Sequence, residues 1–216
     1  MSTIAIIGGH GQIGLLTARE LTAAGHAVRS VIRNPDHAAD VGATGATAVL
    51  LDIEASSSSQ LVAALGPVDS IVFAAGAGPD SGPARKETVD HQGAITSLAA
   101  AAELGARLIV VSYLGADVTA TGEESWVAYQ RAKKAADDAV RASTVDWTIV
   151  RPASLNDDAK SGLVTIDDAL TGGTTSRANT AALLALVATT QPAPGRVLNV
   201  VDGETPLREA LARASA

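Results

Sequence analysis

The sequence contains no cysteine, which excludes a disulfide scaffold, thiolate catalysis and any Cys-based metal site. Its four histidines, His10, His26, His37 and His91, are dispersed without a helical His-x-x-x-His pair, so a metal site has no nucleus and none is expected. Aromatic residues are almost missing too: Phe73, Tyr113, Trp126, Tyr129 and Trp147 are all there are. The core must therefore be built from Ala, Val, Leu and Ile, and a pocket made of these offers few rings to stack on a flavin or a nucleobase. There is no basic cluster, and the net charge is −7. Nucleic-acid binding is disfavoured, because phosphate contacts supply most of that affinity. No apolar run approaches bilayer-spanning length, and the start Met1-Ser-Thr-Ile-Ala-Ile-Ile-Gly8 lacks the basic opening of a signal peptide. The expectation is a cytoplasmic protein with no membrane partner.

What is present is a long alternation of two patterns. With 216 residues, 47% of them apolar, the chain suits one α/β domain spanning 1–216. Strand-like runs fall at Thr3–Ile7, Ala27–Ile32, Ala46–Leu51, Ser70–Ala74, Arg107–Val111, Trp147–Val150 and Val197–Val201. They are continuously apolar rather than alternating, as in strands of a parallel sheet covered on both faces. Helical patterns separate them at Gln12–Ala24, Ser57–Leu65, Ala84–Leu104, Glu123–Ala142 and Arg177–Thr189, with a last short one at Pro206–Ala214. Pro67 and Pro152 mark places where neither a helix nor a central strand should continue. The pattern predicts a doubly wound parallel sheet of the Rossmann type with helices on both faces. The stretch from Ala153 to Ser176 reads as the longest loop, and about 153–178 as a small substrate-side region. The Ala-rich faces of the two longest helices suit a homodimer interface and intramolecular packing equally well.

The first strand runs into Gly8-x-x-Gly11-x-x-Gly14, which opens the first helix. In this setting Gly8 permits a sharp turn, Gly11 removes a side chain where a pyrophosphate approaches the backbone, and Gly14 allows close packing of helix on strand. The unpaired N–H groups of the first turn, at Gln12, Ile13 and Gly14, then face the phosphates with the help of the helix dipole. A glycine triplet alone is weak; between a strand and an amphipathic helix it is strong. The second strand selects the cofactor. An NAD site places an acid about 20 residues on. Here Arg33 stands 19 residues after Gly14 with no acid before Asp36. A guanidinium there suits a 2′-phosphate, so NADP(H) is expected over NAD(H). The bland alternative is a solvated loop arginine. Arg29, inside the strand, is the poorer candidate. Asp52 and Ile53 follow the third strand where adenine is contacted, and Ala74, Ala75 and Gly76 let the chain pass beside the cofactor.

Tyr129-Gln-Arg-Ala-Lys133 places a phenol and an ammonium one helical turn apart. An adjacent cation lowers a phenol pKa of about 10 toward the working range, and the lysine can also hold ribose hydroxyls. Ser112 ends the fifth strand, on the edge where open α/β sheets bind ligands, and its hydroxyl could position a substrate carbonyl or alcohol. The bland alternative is a surface helix with a solvated Lys133 and a packed Tyr129.

Together these residues resemble the short-chain dehydrogenase/reductase superfamily, and more closely its atypical branch of small NmrA-like, epimerase/dehydratase-type NAD(P)-binding proteins. The likeness covers nearly the whole chain. It also includes Phe73-Ala-Ala-Gly76, Val89-Asp90-His-Gln-Gly93-Ala94, Thr148-Ile-Val-Arg-Pro152 and Asp202-Gly-Glu-Thr-Pro206. The resemblance implies Tyr129 as general acid/base, Lys133 as its tuner and ribose anchor, Ser112 as substrate-positioning hydroxyl, and Pro152 beside the cofactor. The chain departs from the superfamily in carrying Asp90 where Asn is usual, and an ionised carboxylate cannot donate a hydrogen bond. Neighbouring His91 points away from Asp90, at the helix surface. Only about 65 residues follow the sixth strand, too few for a large sugar-nucleotide lobe. Three functions fit: an NADP(H)-dependent oxidoreductase or epimerase on a small alcohol or carbonyl substrate, a non-catalytic NADP(H) redox sensor, and an NADPH-dependent flavin or quinone reductase.

Overall fold

Every expected strand forms, and the structure shows what joins them. The computed structural model describes residues 1–78, 80–118, 121–190 and 194–215. Along the chain come β1 (Thr3–Ile7), α1 (Gln12–Ala23), β2 (Ala27–Ile32), a 3-10 turn (Pro35–His37), α2 (Ala38–Gly42) and β3 (Thr47–Leu50). Next are α3 (Ser58–Leu65), β4 (Ser70–Phe73), α4 (Pro83–Arg85), a π-helical segment (Lys86–Gln92) and α5 (Gly93–Leu104). β5 (Arg107–Val111), α6 (Glu124–Ala142), β6 (Trp147–Pro152), β7 (Ser154–Asn156), β8 (Leu163–Ile166) and β9 (Thr174–Ser176) follow. The chain closes with α7 (Arg177–Thr190), β10 (Arg196–Asp202), β11 (Thr205–Pro206) and α8 (Leu207–Ala214).

The main sheet has the order β3-β2-β1-β4-β5-β6-β10-β8-β11. Strand order reverses between β1 and β4, the switch point at which open α/β sheets form a crevice beyond the strand ends. The continuous apolar runs are explained by the two cores. Ile4 and Ile6 of β1 face one side with Leu21 of α1 and Leu183, Leu184 and Val187 of α7. Ala5 and Ile7 face the other with Leu61 and Leu65 of α3, Ala100 and Ala101 of α5 and Val140 of α6. Alternate residues thus enter opposite cores, and neither face can be polar. Among the described residues, no helix is long and apolar enough to cross a membrane.

The structure corrects four expectations. The sheet is parallel only from β3 to β10, and β8 and β11 extend it antiparallel. The stretch 153–176 is not a loop: it supplies β7, β8 and β9, with β7 and β9 forming a small parallel pair. Thr175 fixes this layer, its hydroxyl donating to the Val200 carbonyl at 2.8 Å and accepting from the Ala153 amide at 3.1 Å. Such three- and four-residue strands, anchored by side-chain hydrogen bonds, are too short to show a period. β6 runs two residues past the end expected at Val150 and stops at Pro152, in register with Val200. The Pro152 carbonyl accepts from Leu114, on the side of β5 beyond the last paired residue, so the proline's missing N–H deprives no ladder partner. Finally, the helix expected over Ala84–Leu104 has a wide π-helical turn in its first half, which buries Lys86, Val89 and Asp90. Seven residues are too few for a hydrophobic pattern to separate the two helical periods.

Candidate active site

The loop leaving β1 is shaped by what its glycines touch. Gly8 has φ +87°, and a Cβ there would lie 2.7 Å from the Ala75 Cα. A Cβ on Gly14 would lie 2.4 Å from the Gly8 carbonyl oxygen, so this glycine serves the packing of α1 against the loop itself. Gly9, to which sequence reasoning gave no role, is equally tight against Ser30 of β2. Gly11 differs: its φ of −60° suits any residue, and a Cβ would meet only the Gly8 oxygen, at 3.3 Å. It is the N-cap of α1 and offers no side chain to the helix's first amides. The N–H groups of Gln12, Ile13 and Gly14 are therefore left to an external acceptor. The loop is a tight cradle with one open side, and it fits a pyrophosphate.

That open side faces a cleft of ≈ 380 Å³ along the ends of β1, β2, β3 and β4. Of the residues singled out from sequence, Gly8, Gly11, Arg33, Asp52, Ile53, Ala74, Ala75 and Gly76 line it. Gln12, Ile13, Gly14 and Pro152 do not, and nor do Asp90, Ser112, Tyr129 or Lys133. Sequence reasoning missed His10, Asn34, His37, Glu54 and Arg85 on its walls. Asn34 caps the 3-10 turn, its side chain accepting from the Asp36 amide at 3.1 Å. Arg33 is not merely solvated: Glu54 takes it at 3.0 Å, takes Arg85 at 2.8 Å and accepts from Thr88 at 2.7 Å. The Arg85 hydrogen bond, with those of Thr88 and the charge of Arg33, holds the Glu54 carboxyl below its usual range. Asp52 sets Glu54 in place by accepting from its amide at 3.0 Å. The signal for Glu54 was its place two residues beyond Asp52. Arg29 is structural, donating to the Leu65 and Pro67 carbonyls.

Beyond Gly76 the chain passes to a second group of side chains. The buried Asp90 carboxylate accepts from the Ala77 amide at 3.1 Å, and a Cβ on Gly76 would be 3.3 Å from it. The acceptor-only carboxylate thus fills this position as an acceptor. His91 turns outward to Glu87 at 2.7 Å. The buried Lys133 ammonium donates to the Val111 carbonyl at 2.6 Å and lies 5.7 Å from the Phe73 ring centre. Burial pushes Lys133 down, while Asp90 and Asp137 hold it up. Tyr129 stacks on Trp126 with ring centres 5.3 Å apart, and Tyr113 completes a triangle of rings, 5.3 Å from Tyr129 and 5.7 Å from Trp126. Lys86, unnoticed in the sequence, donates to the Gly78 carbonyl and places its ammonium 5.6 Å from the Tyr129 ring.

Two expectations for these side chains change. The Tyr129 phenol is pushed up, not down, chiefly by burial and then by Asp90, Tyr113 and Asp137. It therefore stays protonated at neutral pH. Ser112 does not present its hydroxyl to the cleft: it is buried and donates to Asp137 at 2.8 Å. The same carboxylate oxygen accepts from Arg151 Nε at 3.0 Å and Nη2 at 2.8 Å. Arg151 in turn pairs with Asp117 at 2.6 Å, and Asp117 with Arg141 at 3.1 Å. An arginine inside an apolar strand, and an acid one turn beyond Lys133, were the sequence signals for this network.

The comparisons agree with this geometry. A family model described as NAD(P)H-binding matches residues 8–191. The chain belongs to that NAD(P)H-binding family. It is an atypical short-chain dehydrogenase/reductase-like protein. It is 34% identical to the uncharacterized sugar epimerase YhfK of Bacillus subtilis, across 95% of this chain and 97% of that protein. It is 30% identical to a UPF0659 protein of Schizosaccharomyces pombe, across 98% and 94%. A Bacillus halodurans structure assigned to the NAD-dependent epimerases/dehydratases superposes with a TM-score of 0.90 at 28% identity, across 99% and 100% of the two chains.

Proposed function

We propose that this family member is an NADP(H)-dependent oxidoreductase or epimerase acting on a small carbonyl or alcohol, with Tyr129 delivering the proton. A bound nicotinamide would supply or accept the hydride. The observation carrying this reading is the continuity of the site. The cleft begins at Arg33 and ends at Ala74, Ala75 and Gly76, and Asp90, which contacts the next turn of chain, also acts on Tyr129 and Lys133. The upward shift of Tyr129 gives it a direction. A phenol that remains protonated suits the proton-donating half of the chemistry, reduction of a carbonyl, because the alkoxide formed is far more basic than a phenolate. Lys133 orients the helix end of the site through Val111. Arg33 and the amides of α1 hold the nucleotide phosphates.

The test is NADPH consumption with a panel of small aldehydes and ketones. Tyr129→Phe should keep dinucleotide binding and lose roughly 10²-fold or more in turnover. Undiminished turnover by that variant removes Tyr129 from the chemistry. One observation favours a second reading, reduction of a flat conjugated acceptor such as a flavin or quinone. The ring-poor chain gathers three of its five aromatics, Tyr113, Trp126 and Tyr129, into one cluster beside the site. That reading inverts the mutational pattern: Tyr129→Phe keeps the ring and is tolerated, whereas Trp126→Ala is not.

A further inference from the structure

Among the described residues, Lys86 is a buried cation with no carboxylate partner. It is 5% exposed, and its ammonium lies over the Tyr129 ring, 5.6 Å from the centre. The acceptor it bonds among the described residues is a neutral one, the Gly78 carbonyl. The acids nearest to it along the chain are engaged elsewhere. Glu87 takes His91 and Gln92, and Asp90 accepts from the Ala77 amide. Lys133 stands in the field of Asp90 and Asp137, and Asp137 also bonds Arg151. We infer that Lys86 binds a carboxylate of the substrate, which makes the carbonyl compound proposed above a small oxo acid. The inference rests on that proposed reaction and names its substrate class.

The argument begins with the backbone. The π-helical segment Lys86–Gln92 is a wide turn, a form that gathers at functional sites, and it buries Lys86 together with Val89 and Asp90. The flanking charged residues go elsewhere: Arg85 bonds Glu54, and Glu87 bonds His91. A buried ionised group is costly unless paired, and a carboxylate is a stronger partner for an ammonium than a neutral carbonyl. An ammonium has three N–H donors, of which the Gly78 oxygen takes one, so donors remain for an anion. Position then sets the length of the ligand. The ammonium stands over the very ring that carries the phenol, not in a separate chamber. A ligand whose carbonyl oxygen takes the Tyr129 proton meets Lys86 with a carboxylate next to that carbonyl or one carbon removed, as in a 2-oxo or 3-oxo acid. Tyr113 and Trp126, packed on the same phenol ring, offer their faces to its apolar remainder.

The experiment is calorimetric titration of the full chain, with and without NADPH, using oxamate and malonamate and the ethyl ester of each. Their carbonyls are amides, so binding is read without turnover. Each acid should bind roughly tenfold or more tighter than its ester, the range of a charge-assisted hydrogen bond. Lys86→Met removes the charge while filling the same space, and should bring that ratio toward one at unchanged NADPH affinity. Lys86→Arg should restore part of it, and Lys86→Gln replaces the Met variant if the latter does not fold. In turnover the same ratio should appear in KM, for pyruvate against methyl pyruvate, rather than in kcat. Equal affinity of the unmodified protein for acid and ester overturns the inference, as does an acid preference that survives in Lys86→Met or Lys86→Gln, or no binding of either acid at millimolar concentration. None of these results touches Tyr129. Undiminished turnover by Tyr129→Phe removes the reaction instead, and an acid preference that depends on Lys86 then stands as an anion site without it.

Discussion

Adjacent residues on α6 provide a sharp test of the buried network. Asp137 is 0% exposed, and one of its oxygens accepts three hydrogen bonds, two from Arg151 and one from Ser112. Its other oxygen has no partner among the described residues. Asp138, the next residue, has a side chain 51% exposed and pairs with Lys134 one turn back at 2.8 Å. Asp137→Asn keeps the shape but removes the charge facing a buried guanidinium, and it adds an amide N–H with nothing to accept it. Removing one partner of a buried ion pair costs about 3–5 kcal/mol. Arg151 keeps Asp117, so the lower end applies, about 3 kcal/mol. For a chain of this size that lowers the melting temperature by roughly 6–12 °C. Asp138→Asn breaks an exposed i,i+4 pair and should cost no more than about 0.5 kcal/mol. Urea denaturation of both variants beside the parent reads the difference directly. If the two variants agree within about 1 kcal/mol, the assignment of Asp137 as the anchor of this network is wrong.

The remaining predictions concern the cleft and the acid limb of stability. Gly11→Trp should abolish dinucleotide binding by calorimetry while leaving the melting temperature nearly unchanged, because its backbone suits any residue and only the open side of the cradle is filled. Gly14→Ala should do the reverse of that economy, forcing a methyl into the Gly8 oxygen and costing on the order of 1–3 kcal/mol, with binding lost as the loop shifts. Glu54→Gln releases Arg33 and Arg85 from their shared carboxylate and should strengthen NADPH binding relative to NADH by about threefold. Asp117 is held well below the usual carboxylate range, first by its hydrogen bond to Arg151 and also by Arg141. A depressed folded pKa gives stability that is present above the unfolded value near ~3.9 and lost as pH falls toward the folded one. Asp117→Asn should therefore be less stable at pH 7 and show a shallower loss below about pH 4 in acid-denaturation curves.

How much of this was legible beforehand depended on the kind of force involved. The strands of the parallel core were readable because burial on both faces leaves a continuous apolar run, and β1, β2 and β5 were bounded to the residue. The glycine loop was readable because steric exclusion acts within the loop itself, as at Gly8 and Gly14. Pro35–Gly42 and the strands β7 to β9 were not, since they depend on single caps such as Asn34 and Thr175 rather than on a repeat. The direction of the Tyr129 shift was missed for a different reason. The Tyr-x-x-x-Lys spacing reports a cation one turn away, but not the burial and the two carboxylates, Asp90 and Asp137, that push the phenol up. Those residues come from other elements or from further along the helix. Their sum is a property of packing.

One face of α6 shows how the two ends of the site are tied. Residues at successive turns share that face: Trp126, Tyr129, Lys133 and Asp137. Trp126 is 47% exposed, Tyr129 half-buried, Lys133 3% exposed and Asp137 fully enclosed. The helix thus descends from the rim of the site into the core, and the same stripe of side chains passes from a ring platform, through a phenol and an ammonium, to a structural carboxylate. A motif read along such a stripe mixes residues that can meet a substrate with residues that hold the helix. Lys133 falls at the crossover, since its ammonium is spent on the Val111 carbonyl at the end of β5. It therefore fixes where Tyr129 stands relative to the sheet edge, and a change at Lys133 should move the phenol before it changes the phenol's acidity.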